Sequence, residues 1–144
     1  MKLSLATALS ACLMLTASDP TQVDFATLSG FDYVEGMELP GEITRYDEQT
    51  IEISGFMRQE DGLPGGWDEV EYFMLVNDAC GCEGIPKLNE IIFCAMPEGE
   101  TTKVLPGMVK VTGTLYIGEE VDDGVVLALY TMDVDSVDGS VAVR

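Results

Sequence analysis

The chain has 144 residues, of which 26 are acidic and seven basic, and its formal net charge is -19. This length suits one domain, and a hydrophobic content of 47% is typical of a globular chain and excludes a disordered one. The negative charge excludes the cationic surface on which nucleic-acid binding depends and favours a basic partner or a cation. The sequence has no histidine, which removes catalytic triads and imidazole ligands, so we predict a protein that is not an enzyme.

Residues 1–17 have the pattern of an export signal. Lys2 supplies a positive start, an uncharged apolar stretch follows, and Asp19-Pro20 ends it. The stretch is shorter than the about 20 residues that a membrane-spanning helix needs, and it fits a cleaved secretory signal. We therefore expect a protein of the periplasm or cell envelope.

Cys12 supports a second interpretation of the same segment. The sequence Leu9-Ser10-Ala11-Cys12 is similar to a bacterial lipobox, in which the cysteine is lipidated and becomes the new N-terminus. Soluble export and a lipid anchor at Cys12 are both open on the sequence alone. The anchor would be the only expected contact with a membrane.

An N-terminal arm, residues 18–38, follows the signal and precedes a β domain, residues 39–144. The arm has few strand signals, and its apolar residues are expected to pack on the β domain as an arm or a short helix. Pro40 suits the first turn of another short helix that runs through Arg45. The apolar residues of the arm are Phe25, Leu28, Phe31 and Tyr33.

Five short segments of the β domain predict strands, at residues 51–57, 70–76, 90–96, 108–117 and 125–134, with an acidic turn at 119–124. Gly55 and Gly113 lie inside the first and fourth segments and indicate a bulge or a sharply coiled strand. Short strands with glycine kinks favour an all-β fold, namely a small five-stranded OB-like Greek-key barrel with an N-terminal arm. A small β-sandwich is the alternative.

A loop with two cysteines separates the second and third predicted strands. Phe73-Met-Leu-Val76 precedes it, Cys80-Gly-Cys82 lies within it, and Pro86 and Asn89 lead into the next strand. Together with the pattern from residue 51 to 57 and that from 109 to 115, the stretch resembles the bacterial family catalogued as domain of unknown function 3299. The resemblance covers most of the chain after the signal segment.

That resemblance implies an exported domain, sometimes a lipoprotein, found near envelope transport systems and without an assigned chemistry. Two departures matter. Many family members have Cys-x-His in the loop, whereas Cys82 occupies the second position here, and a run of prolines is reduced to Pro86. Cys82 is a conservative replacement for histidine only if the bound group is a soft metal.

Three interpretations of the cysteines stay open. Cys80 or Cys82 forms a disulfide with Cys94, which an oxidising compartment favours. Alternatively, Cys80, Cys82 and Cys94 bind Zn or Cu through their thiolates, with Glu83 or Asp78 as a fourth ligand. The third interpretation is thiol-disulfide chemistry, although Cys-x-Cys in a β loop differs from the usual Cys-x-x-Cys at a helix start.

Taken together, the sequence predicts a non-enzymatic accessory or binding protein of the bacterial envelope, without a cofactor and with an envelope protein or a cation as its partner. The expected binding surface consists of Trp67, Glu83, Pro86 and Asn89, on the loop at residues 80–89 and on the glycine-rich loop around Trp67. A large aromatic residue in a polar loop often anchors a partner. A soft-metal protein and a thiol-redox protein are the alternatives.

Overall fold

The computed structural model describes residues 18–59, 69–78 and 84–139. The helical segments are α1 (Phe25–Leu28), α2 (Gly41–Thr44) and a 3₁₀ turn (Leu88–Glu90). The strands are β1 (Thr21–Gln22), β2 (Gln49–Arg58), β3 (Glu69–Val70), β4 (Tyr72–Val76), β5 (Ile91–Ala95), β6 (Thr102–Lys103), β7 (Met108–Asp122) and β8 (Val125–Asp138). In these ranges no helix is both long enough and apolar enough to cross a membrane.

The prediction of an all-β fold is confirmed by a mixed six-stranded sheet with the strand order β1-β2-β4-β5-β8-β7. β2 pairs with β7 as well as with β4, so β2, β4, β5, β8 and β7 close into a ring. The β5–β8 pair is parallel, whereas the other four pairs of the ring are antiparallel. Each of the five predicted strand segments overlaps one strand of this ring, although the second segment also includes Val70 of β3, which pairs with β6 in a separate two-stranded sheet.

The arm packs into the core as a short helix, as the sequence predicts. Asp24 caps α1 by accepting a hydrogen bond from the Thr27 amide at 2.7 Å. Phe25 and Leu28 are buried in the same hydrophobic core as the strands of the ring. The Tyr130 hydroxyl donates a buried hydrogen bond of 2.7 Å to the Leu28 carbonyl oxygen. This bond therefore fixes α1 to β8.

The β7–β8 hairpin is longer than predicted. The acidic segment 119–124 was expected to be the turn, but β7 continues through Asp122 and only Asp123 and Gly124 turn the chain. Both residues have positive φ, 48° and 79°, which is the geometry of a tight hairpin turn. Such a turn keeps the strands paired up to Asp122 and Val125, so local pairing overrides the poor strand propensity of the acidic residues.

Glu119 on this hairpin holds the end of the arm. Its Oε1 accepts hydrogen bonds of 2.6 Å from the Tyr33 hydroxyl and of 2.6 Å from the Gly36 amide. These bonds lower the pKa of Glu119, and burial together with the nearby carboxylate raises the pKa of Tyr33 to about 12. The hairpin and the arm therefore meet at one end of the ring.

Gly55 and Gly113 are needed in their strands for different structural reasons. Gly113 lies at a register shift between β7 and β8, so the predicted bulge is confirmed there. At Gly55 the pairing with β7 is continuous from Gln49 to Phe56. A Cβ at Gly55 would lie 2.8 Å from Cε2 of Phe25 and 2.8 Å from the carbonyl oxygen of Val76. Gly55 is therefore required by the close approach of α1 to β2.

Replacement of this glycine tests the packing of α1. We expect Gly55→Ala to lower the free energy of unfolding by about 1–3 kcal/mol, because the added methyl group must displace the Phe25 ring or the Val76 carbonyl. Gly41→Ala is the matched control, because a Cβ at Gly41 meets nothing within 4 Å. Urea unfolding of both variants gives the comparison, and an equal effect would contradict the proposed contact.

Candidate functional site

The segment that enters β5 forms a rim at the same end of the ring as the arm. Its backbone is closed by a reciprocal pair of hydrogen bonds. The Lys87 amide donates to Oε2 of Glu90 at 2.8 Å, and the Glu90 amide donates to the Lys87 carbonyl oxygen at 2.9 Å. A glutamate at this place satisfies an amide that the first turn leaves without a partner. The turn Leu88–Glu90 is therefore held rigidly at the start of β5.

Asn89, in the middle of this turn, is the one buried polar residue in the described ranges, with 2% of its surface exposed. Its Nδ2 donates a hydrogen bond of 2.8 Å to the Phe31 carbonyl oxygen, which joins the turn to the arm. Its Oδ1 is buried and has no partner. A buried oxygen without a donor costs about 1–3 kcal/mol relative to a satisfied one. The Oδ1 atom can therefore still accept a hydrogen bond.

Two small cavities flank the turn, and we call them together the rim cleft. One has a volume of about 150 Å³ and is bordered by Ile85 and Pro86, and the other has a volume of about 180 Å³ and is bordered by Asp32 and Asn89. Both cavities are also lined by Ser29, Lys87 and Glu90. The cleft therefore combines polar side chains of the arm with those of the turn before β5.

The exposed surface of this rim contains both apolar and charged side chains. The Ile85 side chain is 97% exposed, which is unusual for a large apolar residue. Lys87 is exposed beside it and belongs to a small set of seven basic residues in a chain with 26 acidic ones. A surface with an apolar residue, a cation and carboxylates close together can form both apolar and polar contacts with a partner.

The structure brings two of the predicted surface residues together and places Cys94 elsewhere. Pro86 and Asn89 both line the rim cleft. Cys94 points from β5 into the core, where it is 2% exposed and a free thiol, and burial raises the pKa of that thiol. A protonated, buried thiol is a weak nucleophile and a weak metal ligand.

The other predicted site residues lie outside the described residues. These are Trp67, Cys80, Cys82 and Glu83, together with Cys12 in the signal segment. The disulfide and the three-thiol metal site therefore stay predictions. Within the described ranges, no group of three Cys, Asp or Glu side chains could hold a metal ion.

Sequence reasoning missed the arm side of the cleft. Ser29 and Asp32 carry no motif, and the bond from Asn89 to Phe31 spans 58 residues of sequence. Glu90 did carry part of a signal, because a glutamate three residues after the start of a turn is half of a capping box, but Lys87 is not the Ser or Thr that completes it. The pairing of turn and arm could not be found from local patterns.

Comparison with solved structures finds this fold in a DUF3299 family protein from Pseudomonas aeruginosa. The two chains have 16% sequence identity and a TM-score of 0.54, over 88% of this chain and 100% of that chain. The resemblance to this family that the sequence motifs indicate is therefore supported at the level of the fold.

The remaining comparisons do not indicate a family or a function for this chain. A putative aspartyl-tRNA synthetase from Leishmania major matches with 11% identity and a TM-score of 0.41, over 91% of this chain and 23% of that chain. No protein-family model matches the sequence, and no curated protein matches it.

Substitution at Asn89 tests its buried position. We expect Asn89→Asp to lower the free energy of unfolding by at least about 2 kcal/mol near neutral pH, because a buried carboxylate would face the Phe31 carbonyl oxygen without a donor. Burial should raise the pKa of the new carboxyl in the folded state. Its protonated form can donate to Phe31, so the loss should be smaller at low pH and grow as the pH rises through that pKa.

Urea unfolding at about pH 4 and about pH 7 measures this difference. Asn77→Asp is the control, because Asn77 is exposed and borders the same cleft. A pH dependence shared by both variants would contradict a buried role for Asn89.

Proposed function

We propose that this chain is a non-enzymatic binding protein of the bacterial cell envelope, and that the rim cleft is its binding site. The observation that carries the proposal is Asn89, whose Oδ1 is buried without a donor beside a cleft. Native proteins satisfy nearly all buried polar atoms, and an exception is often explained by a water or ligand that the structure does not include. A group that donates an N–H or O–H bond to Oδ1 would complete the site.

The architecture of the ring supports an OB-like Greek-key barrel as the scaffold for this site. The pairing order β2-β4-β5-β8-β7, closed by β2–β7 and containing one parallel pair, favours a barrel over two facing sheets. Small barrels of this type bind ligands with the loops at one end and with one face of the strands. The rim cleft lies at such an end, between the arm and the turn before β5.

The chemistry of the described residues supports binding over catalysis. Burial raises the pKa of Cys94, so this thiol is unsuited to nucleophilic or redox chemistry near neutral pH. The rim cleft contains Lys87 and Glu90, but the Glu90 carboxylate is already engaged as the cap of its own turn. The Glu90 side chain is therefore held in place, which favours a surface for recognition over a mobile catalytic group.

Export rests on the sequence of residues 1–17, and the exported chain is either soluble or anchored to a membrane by a lipid on Cys12. Its partner is an envelope protein. The family resemblance links such a protein to envelope transport systems. The soft-metal and thiol-redox alternatives depend on Cys80 and Cys82. Because Cys94 is buried, these two cysteines would have to act together without it.

Site-specific photo-crosslinking tests the proposed binding site. A photoreactive amino acid at Pro86 should give a discrete crosslinked product in cells of the source bacterium, because Pro86 borders the cleft. The same amino acid at Glu98, an exposed residue on the turn after the other end of β5, is the control. Equal products at the two positions, or none at Pro86, would contradict the proposal.

Protein purified from the envelope tests the location and the cysteine alternatives together. We expect an intact mass that shows removal of residues 1–17 or a lipid on Cys12, and a thiol titration that is unchanged by a chelator. Thiols that become reactive only after chelation would support the soft-metal alternative. A chain that keeps Met1 would refute export.

A further inference from the structure

A second depression lies on the outer face of the ring and shares no residue with the rim cleft. It has a volume of about 310 Å³ and lies where β4, β5 and β8 adjoin. Two aromatic residues, Tyr72 and Phe93, and two carboxylates, Glu120 and Asp133, are among the residues that line it.

The strand register places three of these side chains on one face. Tyr72 pairs with Ala95, and Ala95 is level with Asp133 on the neighbouring strand. Phe93 lies two residues before Ala95, so it points to the same side as Tyr72. Paired residues on adjacent strands share a face, which brings the aromatic rings and the Asp133 carboxylate to the same surface.

The aromatic part of this surface is open to solvent. Tyr72 is 55% exposed although it belongs to a paired strand of the ring. An aromatic ring that is exposed beside a concavity has a free face for a ligand, and aromatic faces attract cations through their quadrupole. The depression therefore offers a contact that the folded chain itself does not use.

The electrostatic field on this surface is negative. Glu120 and Asp133 line the depression, and no lysine or arginine is among its lining residues in the described ranges. Asp133 raises the pKa of the neighbouring Tyr116, chiefly by its charge and also by accepting a hydrogen bond from the Tyr116 hydroxyl, and burial, Glu48 and Asp47 add to this rise. An anionic ligand such as nucleic acid would be repelled here, whereas a cation would be attracted.

We propose that this depression binds the guanidinium or ammonium group of a basic segment of a partner protein. The Tyr72 and Phe93 rings contact the apolar part and the face of the cationic group, and Glu120 and Asp133 accept its N–H bonds. Aromatic rings with adjacent carboxylates are the combination that recognises organic cations. This site is independent of the rim cleft and does not rest on the function proposed for it.

A polypeptide fits this surface better than a free small cation does. β8 leads from the depression back to its turn, where Val125 and Leu127 are 58% and 53% exposed, with the fully buried Leu129 between them and the depression. These side chains can contact apolar residues that lie a few positions from the basic one in a polypeptide, which a free polyamine lacks. The net charge of -19 accelerates the approach of a basic segment.

NMR titration with two small probes tests the cation site. N-acetyl-arginine amide should shift the amide resonances of Tyr72, Phe93 and Thr131. N-acetyl-citrulline amide has a similar shape but no charge, and it should leave these resonances unchanged. Equal shifts with both probes, or shifts confined to other residues, would overturn the proposal.

Three single substitutions localise the binding. Tyr72→Leu, Asp133→Asn and Glu120→Gln should each weaken binding of the arginine probe by about fivefold, the size of one cation–π or ion-pair contact. Asp133 interacts with Tyr116, so its replacement could weaken binding indirectly by moving Tyr116. Glu120→Gln tests the loss of a carboxylate without that change. Glu98→Gln removes one exposed negative charge elsewhere, and it should change the affinity by less than about twofold. An equal effect of all the charge substitutions would overturn a localised site.

A second pair of probes tests the polypeptide part of the proposal. An acetylated, amidated peptide with arginine flanked by leucine and valine should bind at least about tenfold more tightly than the arginine probe, because it also contacts Val125 and Leu127. The same peptide with glycine in place of leucine and valine supplies an equal charge without apolar side chains. Equal binding of the two peptides would overturn the assignment to a protein partner.

Discussion

The contact of α1 with β2 is the constraint on which the arrangement of this molecule depends. Phe25 lies against Gly55, where a larger residue would collide with it, and this places the next turn of the arm at one end of the ring. From there the Phe31 carbonyl oxygen accepts the hydrogen bond of Asn89. A helix of four residues thus fixes one wall of the rim cleft, because it is inserted into a closed and densely packed core.

The strands were predictable because their side chains alternate between core and solvent. β2 shows this alternation over most of its length, from Ile51 to Arg58, and such patterns depend only on neighbours in sequence. The buried state of Asn89 was not predictable, although the residue itself was part of the expected surface. Its burial depends on the arm, which is distant in sequence, and a local pattern carries no information about that packing.

Cys94 shows how one pattern can support several functions until its surroundings are known. The spacing of cysteines permitted a disulfide, a metal site or redox chemistry, but alternation along β5 also places Cys94 on the same side as the buried Ile92. The structure agrees with the alternation, because Ile92 and Cys94 are both buried in the core. The hairpin extension was missed for a related reason, since acidic residues there suggested a turn, whereas cross-strand pairing with Val126 and Ala128 continues β7 through two register shifts.

The hydrogen bond between Tyr130 and Leu28 has a consequence for biosynthesis, since it joins positions separated by 102 residues. During translation, α1 leaves the ribosome long before β8 exists, so the nascent polypeptide cannot complete its interior until nearly the whole message has been read. Topologies dominated by such distant contacts fold slowly. A ribosome-bound intermediate therefore remains open, and a premature stop before codon 130 would leave Leu28 without the strand that covers it.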